Sequence, residues 1–144
     1  MTTDRLTPAE QVALYEATDG RDGGTLEDRP VVILTTVGAK SGELRKNPIM
    51  RIVDGDNYIA VASAAGAASH PAWYRNLVAN PQVWLQDGAT VHRFRARETY
   101  GAEKAQTWLI AERFWPHFPQ YRARAGQREI PVIVLEPVPE GDNG

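Results

Sequence analysis

Between Pro30 and Gly38 stands an unbroken apolar and β-branched run, Val31-Val32-Ile33-Leu34-Thr35-Thr36-Val37. Branched side chains suit a pleated backbone, so a run of this kind predicts a buried strand. The segments downstream limit how that strand can pair. Leu44–Val53 is expected to return antiparallel to it, and the Asp54-Gly55 dipeptide signals a hairpin into a third strand, Asn57–Ser63. Val83–Gln86, the Asp87-Gly88 turn and Thr90–Glu98 form another hairpin, and Ile130–Val138 is the final strand. Connections this short favour antiparallel pairing, and about six such strands can curl into a small barrel.

Three helices are predicted beside the strands. Thr7-Pro8-Ala9-Glu10 combines a capping threonine, a proline at the first helical position and a glutamate three residues after the cap. That helix is expected to reach about Ala17, where Thr18-Asp19-Gly20 stops it, and Arg21 to Pro30 reads as a loop. Pro71 and Asn80-Pro81 bracket a second helix. Ala102 to Phe114 fits a third, with Ala105, Trp108 and Leu109 on one stripe and Pro116 beyond its end. The residues alone support a β-rich α+β domain.

The 144 residues are read as one domain: an N-terminal helix and loop over 1–29, a strand-rich body over 30–138 and a frayed acidic tail over 139–144. No apolar run reaches the roughly 18 residues needed to span a bilayer, and no leader-like apolar core follows a basic start, so the expected location is cytoplasmic. A net charge of −2 argues against a nucleic-acid partner. The absence of cysteine excludes disulfides, thiol nucleophiles and Cys-based zinc sites. His70, His92 and His117 lack metal-ligand spacing, so no metal is expected. Arg93, Arg95 and Arg97 alternate on one strand face, opposite Phe94 and Ala96, and read as a solvated exterior.

Three segments carry chemistry. The turn Gly38-Ala39-Lys40-Ser41-Gly42, with Arg45, Lys46, Asn47 and Pro48 beyond it, is either a solvated hairpin tip or an anion site. Backbone N–H groups in a glycine-bearing turn form a concavity for anions, and Lys40 and Arg45 add charge. Val61-Ala62-Ser63-Ala64 is small enough for a flat ring to approach the backbone, or simply ends a strand. Pro71-Ala72-Trp73-Tyr74-Arg75-Asn76-Leu77 opens a helix whose first N–H groups suit an anion, with Trp73 a candidate core aromatic.

Together these segments resemble the deazaflavin-dependent nitroreductase family, the small reductases that use coenzyme F420. Thr-Thr-x-Gly-x-Lys-Ser-Gly, Arg-x-Asn-Pro and Pro-x-Trp-Tyr-x-Asn occur in family order at family spacing. The resemblance covers roughly Val31 to Pro137 and sharpens the fold to a split β-barrel of about six mostly antiparallel strands with three flanking helices. It implies that the deazaflavin is held by Ala39, Lys40, Ser41, Arg45, Lys46, Asn47, Pro48, Ile49 and Met50. Val61, Ala62, Ser63 and Ala64, and then Ala72, Trp73, Tyr74, Arg75 and Asn76, complete the implied contacts. Ala39 stands where many relatives have arginine, Ala64 where some have lysine, and His70 where the family has asparagine. The first two departures remove positive charge from the anion site.

The aromatic stretch from Phe114 to Tyr121 resembles the segment that lines the family's substrate pocket, or else closes the barrel as a wedge. On the first reading Trp115, Phe118 and Tyr121 meet the substrate, Trp115 and Phe118 overhanging the barrel mouth without belonging to its core. Tyr121 is then a candidate proton donor or substrate orienter. The implied activity is hydride transfer from the reduced deazaflavin to a small electron acceptor such as a quinone, an activated enone or a nitro compound. The alternatives are an FMN-dependent reductase on the same barrel and a non-catalytic deazaflavin or small-ligand binding protein. Oligomeric state is left open by the sequence.

Overall fold

The computed structural model describes residues 6–63, 69–116, 118–126 and 129–139. Its eight strands and four helices run in the order α1 (Pro8–Thr18), β1 (Thr25–Leu26), β2 (Arg29–Val37), β3 (Leu44–Met50), β4 (Val53–Asp54), β5 (Asn57–Val61), α2 (Ala72–Ala79), β6 (Gln82–Asp87), β7 (Thr90–Glu98), α3 (Gly101–Phe114), α4 (Phe118–Ala125) and β8 (Val132–Pro137). The strands are ordered β1-β2-β6-β7-β8-β5-β4 across one curled sheet, and β3 also pairs with β2. Every pairing is antiparallel, as the short connections require.

The strand count differs from expectation in two places. The return strand is split, Leu44–Met50 and then the two-residue β4, and a short β1–β2 hairpin occupies the presumed loop. A fourth helix, α4, occupies the aromatic stretch and buries Phe118, Tyr121 and Ala125 on one face. The stripe on α3 also differs. Thr107, Trp108 and Ala111 are buried, whereas Ala105 and Leu109 are exposed.

Both faces of the central strands are covered, which is why β2 reads as a continuous apolar run rather than an alternation. Val32 and Leu34 point into the barrel with Ile49, Ala60, Ala62, Trp73, Leu77, Phe94, Ile133 and Leu135. Their neighbours Val31 and Ile33 turn outward against Val12 and Tyr15 of α1. Ile59, Val61 and Val132 face a third cluster built on Trp108, Trp115, Phe118 and Tyr121 from α3 and α4.

The capping box of α1 forms as expected, Thr7 and Glu10 exchanging side-chain and backbone hydrogen bonds of 3.0 and 3.1 Å. The tip of the β6–β7 hairpin is fixed by a polar cluster. Asp87 accepts from Arg51 Nε at 2.8 Å and from the Tyr58 hydroxyl at 2.5 Å, while the Gly88 N–H donates to the Tyr15 hydroxyl at 2.8 Å. Burial first, then the bond to Asp87, pushes the Tyr58 phenol up to about 12. A raised folded-state value means that this contribution is complete below the ordinary tyrosine range and is lost as pH rises through about 12. Stability should therefore fall across the alkaline limb above pH about 10. Tyr58→Phe should flatten that limb in denaturant melts across alkaline pH.

Candidate active site

The three hydrophobic clusters meet at a cavity of about 420 Å³. Leu26 and Glu27 come from the β1–β2 hairpin, Pro48, Ile49 and Met50 from β3, and Val61 and Ser63 from the end of β5. Pro71 and Trp73 contribute the start of α2, and Trp115 and Tyr121 the opposite wall. The lining is mostly apolar, with a few polar atoms at its edges, the character of a site for a flat organic group. Pro71 precedes α2 and supplies no side-chain cap, so the helix starts beside the cavity with its Tyr74 N–H donating to the Pro71 carbonyl at 3.1 Å.

About 10 Å of extended chain along β3 separates Pro48 from Arg45 at the other end of the strand. There the turn is closed by backbone hydrogen bonds from Gly38 N–H to Glu43 O at 2.7 Å and from Gly42 N–H to Gly38 O at 2.9 Å. Glycine is required at position 38, because an added Cβ would lie 2.8 Å from Ser41 Oγ and 3.0 Å from Glu43 O. Gly42 adopts φ +74°, the left-handed region. Ala39, Lys40, Ser41 and Arg45 are exposed at this tip.

Asn76 ties the tip to α2. It is buried, its Oδ1 accepts the Ala39 N–H at 3.0 Å, and its Nδ2 donates to Thr36 Oγ1 at 3.1 Å. The amide is thus committed within the protein, and its part in a binding site is to hold the turn. Asn76→Ala should lower stability by about 1–3 kcal/mol, because the buried Thr36 hydroxyl and the part-buried Ala39 N–H lose their bonds. Urea unfolding measures this directly. Thr36→Val should reproduce part of the loss.

The basic residues divide between two faces of β3. Arg45 stands opposite Thr36 in the ladder and Lys46 opposite Thr35. Lys46 is ion-paired with Glu16 of α1, while Arg45 lies 3.4 Å from the exposed Glu43. Asn47 is half-buried between them and the cavity.

Of the residues singled out in the sequence, Pro48, Ile49, Met50, Val61, Ser63, Trp73, Trp115 and Tyr121 line the cavity together. Ala62 is buried in the barrel interior, Ala72 and Arg75 are exposed on α2, and the Tyr74 hydroxyl donates to Glu98 at 2.6 Å. Ala64 lies outside the described residues, as do His117 and most of the expected acidic tail. The expected overhang of Trp115 and Phe118 is corrected: they are 2% and 0% exposed and belong to the core. Trp115 still shows a face to the cavity, whereas Phe118 stands one layer back, edge-on to Trp108.

Leu26 and Glu27 were missed. Their turn, Glu27-Asp28, has φ of +50° and +62° without any glycine, so the usual hairpin dipeptide is absent. Asp tolerates that region better than most residues, which is the one trace in the sequence. Glu27 Oε2 accepts the Tyr121 hydroxyl at 2.9 Å. Burial is the main cause that raises the Tyr121 phenol, the neighbouring Trp115 indole opposes it, and the bond to Glu27 raises it further.

The family model described as "F420H(2)-dependent quinone reductase" matches residues 8–137. The chain belongs to this family. An F420H(2)-dependent quinone reductase of Mycobacterium tuberculosis is 34% identical over 127 residues, 85% of each chain. A solved structure described as an F420-H2 dependent reductase is 42% identical, with a TM-score of 0.69 over 78% of this chain and 98% of its own. Another, described as a domain-swapped dimer, is 40% identical, with a TM-score of 0.71 over 89% of this chain and 93% of its own. The expected split β-barrel is confirmed by these neighbours, and the family's cofactor is coenzyme F420. Among the described residues, no helix is long and apolar enough to cross a membrane.

Proposed function

We propose that this protein reduces a small quinone in the cavity, with the deazaflavin ring against β3, β5 and the start of α2 and its anionic tail at the turn. The observation that carries the reading is the junction cavity itself, which gathers eight residues from four segments spread across the sequence. Its fit to the cofactor is physical. Ser63 and Val61 present little bulk at the cavity wall, Ile49 and Trp73 supply apolar contact, and β3 leads from the cavity to Lys40 and Arg45.

When bound, the reduced deazaflavin supplies the hydride. The chain's own residues supply position and environment. Trp115 and Met50 give an apolar wall that limits water, and the α2 N-terminus offers N–H groups to a ring oxygen or phosphate. Tyr121 orients rather than donates: its hydroxyl proton is directed at Glu27. Activated enones and nitro compounds are proposed as further acceptors, because most of the wall is apolar and aromatic. The proposed location is the cytoplasm.

The test is a fluorescence titration of the protein with oxidised F420 and, separately, with FMN. Tighter deazaflavin binding is expected. Tighter FMN binding would overturn the cofactor assignment and favour a flavin reductase on the same barrel.

A further inference from the structure

The β1–β2 hairpin sets a carboxylate beside the cavity through a two-residue turn held by anchors from α1 and α3. Two successive non-glycine residues, Glu27 and Asp28, occupy the left-handed region at φ +50° and +62°. A two-residue hairpin turn takes positive φ at both central positions, but side chains with a Cβ are disfavoured there, so a turn without glycine gains from surroundings that hold it. The surroundings do so from two sides. The buried Gln11 donates from Nε2 to Gly23 O at 2.9 Å and to Thr25 O at 3.0 Å, and Arg29 Nη1 donates to Phe114 O at 3.3 Å. The result is a carboxylate placed at the rim of the cavity, bonded to the buried Tyr121.

Among the described residues lining the cavity, Glu27 alone carries a formal charge. The guanidinium of Arg124 lies 5.8 Å from the centre of the Tyr121 ring, yet Arg124 is not part of the lining. We infer that Glu27 is a specificity-determining residue: it makes the cavity select neutral acceptors over anionic ones, and it fixes the Tyr121 hydroxyl as an acceptor-side surface rather than a donor. This rests on the reading of the cavity as the acceptor site. An anionic group entering beside the carboxylate meets like charge in a mostly apolar enclosure, where screening is weaker than in water. It also finds the Tyr121 proton already engaged by Glu27. A neutral quinone also finds that proton engaged, but it escapes the charge repulsion, and the discrimination rests on that difference.

Equilibrium binding tests this without turnover. Protein holding oxidised F420 is titrated with menadione and with a ring-sulfonated naphthoquinone, and tryptophan fluorescence is followed. The parent should prefer the neutral quinone by about tenfold or more. Glu27→Gln keeps an oxygen for Tyr121 and removes the charge, and should narrow that preference several-fold, mainly by gaining affinity for the sulfonate. Glu27→Gly should do the same while suiting the turn's positive φ, so a folding defect in one variant does not silence the test. The parent's preference should shrink with added salt, and the variants' should not, a signature that a purely structural role would lack. Normal binding with an unchanged preference in both variants would overturn this inference alone. Failure of the parent to bind either quinone beside the cofactor would overturn the inference together with the acceptor-site reading.

Discussion

Arg45→Ala is expected to weaken deazaflavin binding about ten- to a hundredfold, the loss of one charge-assisted contact worth roughly 1.5–3 kcal/mol. The effect is large because few other charges serve the tip. Ala39 contributes no cation, and Lys46 is drawn away on the other face of β3 by Glu16. Lys46→Ala, removing the same charge one position along, should change cofactor affinity within about twofold. The exposed Glu43 beside Arg45 offers little competition, since both side chains remain largely in water. Glu43→Gln should modestly tighten binding. Isothermal titration of the three variants separates a site built on one face of β3 from a diffuse basic patch. Equal losses for Arg45→Ala and Lys46→Ala would mean the patch.

Phe118→Ala should cost about 3–5 kcal/mol of stability and lower the melting temperature by roughly 10–20 °C. The ring is fully buried and packs edge-on against both Trp108 and Tyr121, at centroid distances of 5.5 and 6.2 Å. Its loss leaves a void beneath the cavity wall. Trp115→Ala should be comparably damaging, because that side chain serves the core as well as the cavity. The informative change at Trp115 is therefore Phe, which keeps an aromatic body in the core and reshapes the wall. Trp115→Phe should raise the Michaelis constant for quinones and leave deazaflavin affinity within about twofold. Collapse of cofactor binding in a folded Trp115→Phe protein would show that this wall belongs to the cofactor and not to the acceptor.

The strands were legible because their signals are local. The branched run of β2 and the Asp-Gly dipeptides at 54–55 and 87–88 mark elements of which β2, β5, β6 and β7 lie within two residues of their expected bounds. The motif segments also converged on the cavity, although only pairing through β2, β5 and β8 determines which side chains face it. The fourth helix was readable in principle. Phe118, Tyr121 and Ala125 have helical spacing, Pro119 stands in the first turn and Gly126 comes just after the helix at φ +62°. The density of aromatics suggested a lining instead, and whether an aromatic lines or underlies a wall depends on its neighbours in space. Glu27 was hidden for a different reason. Its turn lacks the expected glycine, and its partner Tyr121 is 94 residues away. Asn76 was recognised as a motif residue, but its bonds to Ala39 and Thr36 depend on α2 packing against β2.

The central claim is that the cavity brings a quinone to a bound, reduced deazaflavin. Anaerobic mixing of the protein with reduced F420 and menadione, monitored through the return of the oxidised deazaflavin chromophore, tests it most directly. Protein-dependent oxidation is expected that saturates with menadione and falls sharply in Arg45→Ala at limiting cofactor. Tight cofactor binding with no menadione-dependent oxidation would contradict the claim and leave the protein a deazaflavin carrier.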